Sequence, residues 1–173
     1  EAFMKINIIR TILILLLIGT FGIIFGFSNQ DGEQSAGIST KVTKMFLENS
    51  KKYQESNENE KEIIFKRTQK IIRKLAHFSI YTLVGFLLML LFVTFNQLTN
   101  KKRAIISTII GIIYASSDEI HQKFIAGRSA QITDVYIDTL GVILGILLVV
   151  FIIKVYEKAK NYYKQKDNEK VES

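Results

Sequence analysis

Four apolar runs, separated by charge-dense stretches, organise this chain. The first extends from Ile6 to Phe27, with Asn7, Arg10 and Thr11 near its start. At about 1.5 Å per residue it covers roughly 30 Å, the thickness of a bilayer's hydrocarbon core. It is long for the apolar part of a signal peptide, and no A-x-A cleavage pattern follows it, so it reads as a retained helix. The second run is Leu75 to Phe95, with His77 and Tyr81 in its first turns. The third is cleanly apolar from Ala104 to about Ser116 and reaches spanning length only by taking in Asp118, Glu119, His121 and Gln122 on the way to Ile125. The fourth runs from Val135 to Ile153 and holds Asp138 near its start. The pattern predicts an all-α polytopic membrane protein, a bundle of four transmembrane helices. The short connections between the last three predict antiparallel neighbours.

Residues 28–74 follow a different rhythm. Ser28-Asn29-Gln30-Asp31-Gly32 reads as a break. Val42, Met45, Phe46 and Tyr53 fall on one helical face, and the acidic stretch from Gln54 to Glu62 reads as a turn or a mobile segment. Ile64, Ile71, Ile72 and Leu75 then recur at helical spacing among Lys61, Lys66, Arg67, Lys70, Arg73 and Lys74. That is a basic amphipathic helix of the headgroup-surface kind, running into the second transmembrane helix. The expected organisation is a membrane domain over residues 4–153, an extracytoplasmic helical insert over 28–74, and a basic tail over 154–173 that continues as helix before losing order. Glu1-Ala2-Phe3, ahead of Met4, reads as a cloning remnant.

Composition sharpens this picture. The chain has 173 residues, of which 48% are hydrophobic and 23% charged, and the two classes are segregated along it. It has no cysteine, which excludes disulfides, thiolate metal sites and cysteine nucleophiles. It has no proline to kink a helix and no tryptophan for an interfacial belt. The net charge of +7 flanks apolar spans instead of forming one stripe. This suits anionic headgroups and argues against nucleic acid as a partner.

Basic residues divide almost evenly between the two sides of a four-span topology, so the short connections decide the orientation. Lys101-Lys102-Arg103 outnumbers Lys123 and Arg128, which places both termini in the cytoplasm and the insert outside. Alternating topology also sends the unusual polar residues to one face. Ser28, Gln30 and Ser35 follow the first span; Lys74, His77 and Tyr81 open the second. Asp118, Glu119, His121 and Gln122 close the third; Gly127 and Arg128 lie in the next loop; Asp134 and Asp138 open the fourth. The opposite face carries only ordinary basic flanks.

Ionisable groups at membrane depth cost several kcal/mol unless paired or hydrated, so they turn toward a bundle interior or a wet cavity. Lys74, His77 and Tyr81 share a stripe, Asp118 and Gln122 are four apart, and Asp134, Asp138 and Gly141 form another stripe. Gly141 and Gly145 could bring the last helix close to a neighbour. Two readings stay open. In one, Arg128 and Lys74 neutralise Asp134, Asp138 and Glu119, and the network only fixes packing. In the other, the cluster lines a pocket for a headgroup, a phosphate or a metal ion, or performs acid–base chemistry. A metal site of His77, Glu119 and Asp138 is chemically conceivable, but no dense ligand motif supports it, and no metal or cofactor is assigned.

These residues are also the ones that carry a family resemblance. Arg73-Lys74-Leu75-Ala76-His77-Phe78-Ser79-Ile80-Tyr81 resembles the K-x-x-H-x-x-x-Y element of VanZ-like membrane proteins. Asp118-Glu119-Ile120-His121-Gln122-Lys123-Phe124 with Gly127-Arg128 resembles their D-E-x-x-Q…GR element. Asp134, Asp138 and Gly141 are similar to the pattern opening their last helix, and Ser28, Gln30 and Ser35 to an element after their first. The resemblance implies a small protein of the bacterial plasma membrane. The family takes its name from a protein conferring low-level resistance to teicoplanin, a glycopeptide acting at the outer surface.

Two functions are therefore carried forward. The first is a binding module for a lipid headgroup, a lipid-linked cell-wall precursor or a glycopeptide, with Lys74 and Arg128 holding its phosphate or carboxylate. Ser28, Gln30, Ser35, Tyr81, Asp118, Gln122 and Asp134 complete the pocket. The second is a membrane-embedded enzyme using His77, Glu119 or Asp138 as acid or base, with Lys74, Arg128 and Tyr81 stabilising negative charge. Membrane lipids are the expected partners, and a homo-oligomer is left open.

Overall fold

The computed structural model describes the backbone of residues 2–128 and 130–172, and their side chains except at positions 2, 3, 32–36, 38, 167 and 169–172. Among the described residues it contains helices and connections only: α1 (Ala2–Ser28), α2 (Gly32–Leu47), α3 (Lys51–Glu55), α4 (Glu58–Val93), α5 (Asn100–Gln122) and α6 (Ile132–Glu172). Three of them, α1, α4 and α6, contain stretches long and apolar enough to cross a bilayer. The length of α5 would also suffice, but the polar groups of its last two turns keep it out of that class by composition.

The acidic stretch from Gln54 to Glu62, expected to be a turn, is mostly helical. Asn57 accepts a hydrogen bond from the Glu60 N–H, and the Glu60 carboxylate accepts one from the Asn57 N–H. This reciprocal cap starts α4 at Glu58 and confines the break to Ser56 and Asn57. From there α4 is unbroken for 36 residues, about 54 Å, so the basic amphipathic helix and the second apolar run are one rod. Packed against its first half is α2, with Ser39, Thr43 and Leu47 buried and Gln69 Nε2 donating to Thr40 Oγ1 at 2.8 Å. The face carrying Met45 and Phe46 turns away from α4 instead, and these are 69% and 70% exposed. The tail remains helical to Glu172, further than its apolar part requires, because Glu157, Lys158, Ala159 and Lys160 are good helix formers.

Ser107, Gly111, Ala115, Asp118 and Gln122 of α5 are buried, whereas Ile105, Ile109, Ile113 and Ile120 are exposed. This is the reverse of a helix on a water-soluble protein, whose apolar stripe faces the core. Its isoleucines suit lipid, and its small and polar residues suit close helix contact.

Contacts at both ends fix an up-and-down order, with α1 and α5 running one way and α4 and α6 the other. At one, Gln122 of α5 reaches Ser28 of α1, and Lys74 of α4 reaches Asp134 of α6. At the other, Arg10 of α1 donates from Nε to Thr94 Oγ1 at 3.0 Å and from its terminal nitrogen to Thr94 O at 2.8 Å, while its guanidinium lies 4.3 Å from the Phe95 ring centre. This second end is therefore more than a row of basic flanks. Arg10 caps a carbonyl at the C-terminus of α4, where a cation also meets the negative end of the helix dipole.

The tightest contact joins α4 to α6. A Cβ on Gly141 would stand 2.5 Å from Phe78 O, and one on Gly145 would collide with Thr82 O and Phe86 N, all backbone atoms. A Cβ on Gly85 would strike the Val142 backbone, and one on Gly111 would lie 2.7 Å from both Val142 methyls. Val142 is thus clasped between two glycines on different helices. A Cβ on Gly22 of α1, by contrast, would meet nothing within 4 Å. Gly145→Ala is therefore expected to destabilise the detergent-solubilised protein by about 1–3 kcal/mol through overpacking. Gly22→Ala should leave the melting temperature unchanged or slightly raised, and thermal unfolding of the two variants beside the wild type is the check.

Candidate functional site

The close crossing of α4 and α6 sets the register of their polar groups. Lys74 Nζ pairs with Asp134 Oδ1, and one turn deeper His77 Nδ1 lies 3.7 Å from Asp138 Oδ2. That separation brings the two groups into electrostatic contact, but it exceeds a hydrogen bond. Asp138 is 2% exposed and its Oδ1 has no hydrogen-bond partner. Tyr81, one further turn along the stripe, is fully buried, and its hydroxyl is unpartnered too. Unsatisfied buried polar atoms are uncommon in folded proteins, and these two belong to facing helices.

On the α5 side, Asp118, Glu119 and Gln122 are all buried. Gln122 Nε2 donates to Asp118 Oδ2 at 3.0 Å and to Ser28 Oγ at 3.1 Å, tying the ends of α1 and α5 together. The Glu119 carboxylate accepts the Gln131 backbone N–H, which fastens the loop leading into α6. Gly127 sits in that loop with φ 72°, the left-handed region that glycine adopts without strain. The turn it makes sends Arg128 back toward α1, where the guanidinium donates to Phe27 O at 3.1 Å while Nε stays buried without a partner. Burial, and then the neighbouring Arg73, pull the Arg128 pKa below its usual value, yet a guanidinium remains charged at neutral pH.

These groups surround one polar cleft of about 110 Å³. Of the sequence candidates, Lys74, His77, Gln122, Arg128, Asp134 and Asp138 line it directly. Ser28, Tyr81, Asp118 and Glu119 do not line it; Ser28, Asp118 and Glu119 brace the helices and loop that carry it. Gln30 lies on a neighbouring apolar groove. The Ser35 side chain falls outside the described residues. His121 is turned away, stacked on Phe25 with ring centres 4.9 Å apart. The pure packing network expected as one alternative is present only in part. Lys74 neutralises Asp134, but Arg128 binds a carbonyl, and Glu119 is met by a backbone N–H. Among the described residues no three acidic or histidine side chains stand close enough to hold a metal ion, so His77, Glu119 and Asp138 are not gathered as ligands.

Two lining residues were read from the sequence only as part of the surface helix. Lys70 and Arg73 face the same cleft. The signal was available, since Lys70, Lys74, His77 and Tyr81 continue one stripe at spacings of four, three and four. Gln131 also lines the cleft and is held there by its backbone N–H, a contact that no side-chain pattern reveals.

Both partners of the Lys74–Asp134 pair are about one-third exposed, so solvent moderates its strength. A double-mutant cycle with Lys74→Met and Asp134→Asn should give a coupling of about 1 kcal/mol or less in thermal or denaturant unfolding. Asp138→Leu removes a buried carboxylate with an unpartnered oxygen and leaves a partly exposed imidazole that needs no counter-charge when neutral, so it should be neutral or stabilising by the same measurement.

A model of the VanZ/LLP1 family matches residues 13–154. No curated protein and no solved structure matches the chain. The matched region begins inside α1, takes in both motif-bearing stripes of α4 and α5, and ends where the apolar part of α6 gives way to its lysine-rich tail. With most of its length matched and three helices able to span a bilayer, the chain belongs to the VanZ/LLP1 family of membrane proteins.

Proposed function

We propose that the chain is a four-span protein of the bacterial plasma membrane, with α1, α4, α5 and α6 crossing and both termini cytoplasmic. Its polar cleft opens outward and binds the anionic headgroup of a lipid or lipid-linked cell-wall precursor, a role consistent with low-level glycopeptide tolerance. The observation that carries this reading is the charge imbalance of the cleft. Lys70, Arg73, Lys74 and Arg128 face only Asp134 and Asp138 among the lining carboxylates. Lys74 is matched by Asp134, and Asp138 lies beside His77, so among the described residues Lys70, Arg73 and Arg128 have no carboxylate in ion-pair contact. A phosphate or carboxylate supplies what they lack, and guanidinium groups bind such anions through paired hydrogen bonds. The crossing of α5 is supported by its exposed isoleucines and buried polar stripe.

Orientation is read by labelling from outside the cell, and a chain free of native cysteine makes that direct. A membrane-impermeant thiol reagent should modify Gln54→Cys on whole cells and modify Asn161→Cys only after lysis. The reverse pattern places the cleft on the cytoplasmic side and removes the proposal. In a glycopeptide-sensitive host, expression of the wild type should raise the inhibitory concentration of teicoplanin. Arg128→Ala, at equal membrane abundance, should return it to the host level. An unchanged wild-type value defeats the tolerance role.

A second reading rests on half-buried His77 beside buried Asp138, with the buried Tyr81 hydroxyl one turn away. In a membrane-embedded enzyme Asp138 would orient the imidazole, and His77 would pass a proton to or from an amphiphilic substrate held by Arg128. Purified protein incubated with labelled membrane lipids and precursors, with and without divalent metal, tests it. The expectation is turnover by wild type that His77→Ala and Asp138→Ala abolish; equal turnover by the variants, or none by wild type, eliminates the enzyme.

A further inference from the structure

A second cavity adjoins the cleft and has the opposite character. It is an apolar groove of about 280 Å³ between α1, α2 and α4, lined by Ile24, Phe27, Val42, Ile72, Ala76 and Ile80. This is close to the lower bound of about 300 Å³ for sites that take small organic ligands. The groove and the cleft share Arg73, His77 and Arg128 along their common border. A cationic rim thus separates a wet, charged compartment from a hydrocarbon-like one, within reach of the bilayer that supplies molecules of that shape.

We infer that the two cavities are halves of one site that holds a single anionic phospholipid, its phosphate at Arg73 and Arg128 and one acyl chain along the groove. The inference rests on the headgroup reading above and adds the apolar half. Three observations carry it. The uncompensated charge is concentrated on the shared border, where a phosphate linked to a chain must sit. Arg128 is held by Phe27 O, a groove residue, while its Nε is buried without a hydrogen-bond partner, and the residue borders both cavities. The groove walls come from three different helices and present almost no polar side chain beyond Gln30, Ser39 and the border residues, so a soluble anion alone would leave them unused. A zwitterionic lipid would bring its own cation against Arg73, Arg128 and Lys70, and like charges there repel.

Native mass spectrometry of the full-length chain in detergent tests this, using phosphatidylglycerol against an excess of phosphatidylcholine, with glycerol 3-phosphate as a headgroup without chains. Wild type should retain one phosphatidylglycerol and bind glycerol 3-phosphate at least about tenfold more weakly, because the chain's apolar burial is absent. Arg128→Gln should weaken phosphatidylglycerol by about tenfold or more, the loss of a charge-assisted contact. Ala76→Phe and Val42→Phe, on separate helices, fill the groove. Each should weaken phosphatidylglycerol while leaving glycerol 3-phosphate binding unchanged, and a wild-type melting temperature identifies the correctly folded fillers. If folded fillers keep full phosphatidylglycerol affinity, or glycerol 3-phosphate binds as tightly as the lipid, the two-part site is overturned and the headgroup reading stands. If phosphatidylglycerol and phosphatidylcholine are retained equally, both fall.

Discussion

The backbone contact between α4 and α6 is the constraint from which the rest of the molecule takes its geometry. Lipid provides no hydrophobic force to push two apolar helices together, so their association depends on packing and on how closely the backbones approach. Gly141 and Gly145 let α6 lie against the Phe78, Thr82 and Phe86 backbone, and Gly85 receives Val142 from the other side. Once that register is set, Asp134 falls opposite Lys74 and Asp138 opposite His77. The helix pair is thus both the mechanical centre and the ruler that spaces the polar groups. α5 joins it through Gly111 against Val142 and adds the buried Asp118–Gln122 row.

This geometry gives the two ends of the bundle different tasks. At one, Arg10 and Thr94 close a helix terminus, and Arg103 donates to Asn100 Oδ1 and Phe95 O; these cations are spent on capping. At the other, Gln122 bridges Ser28 and Asp118, Glu119 holds the loop backbone, and Arg128 reaches Phe27 O while also lining, with Lys70 and Arg73, a cleft. Charge held near an apolar environment without an internal partner is costly, and an arrangement of this kind persists where a ligand or solvent compensates it. The position of Arg128 depends on the left-handed turn at Gly127, so loop conformation and site electrostatics are linked at one residue.

Membership of the VanZ/LLP1 family agrees with this division of labour, since the matched region holds both the glycine contacts and the charged cleft and stops before the exposed tail. Within the matched region α2 packs on the first half of α4 and contributes Val42 and Ser39 to the apolar groove. The insert thereby couples a surface element to the chemistry of the bundle.

Hydrophobic runs and helical spacing determined the helices in advance, because the cost of exposing polar backbone to lipid leaves helix as the solution for each long apolar run. The stripe from Lys74 through His77 to Tyr81, the pairing of Asp134 with Asp138 along one face, and the closeness expected of Gly141 and Gly145 were legible for the same reason: i, i+3 and i+4 neighbours are local properties. Local rules also placed nearly all the cleft residues at one end. They could not reveal which cation meets which carboxylate, since Lys74 and Asp134 are 60 positions apart and only the crossing of α4 and α6 selects that pair over Arg128. Nor could they show that Arg128 is anchored on Phe27, that Arg10 closes α4, or that residues from α1, α2 and α4 enclose an apolar groove beside the charges. Those features exist only where separate helices meet, and contact between distant segments is decided by packing in three dimensions.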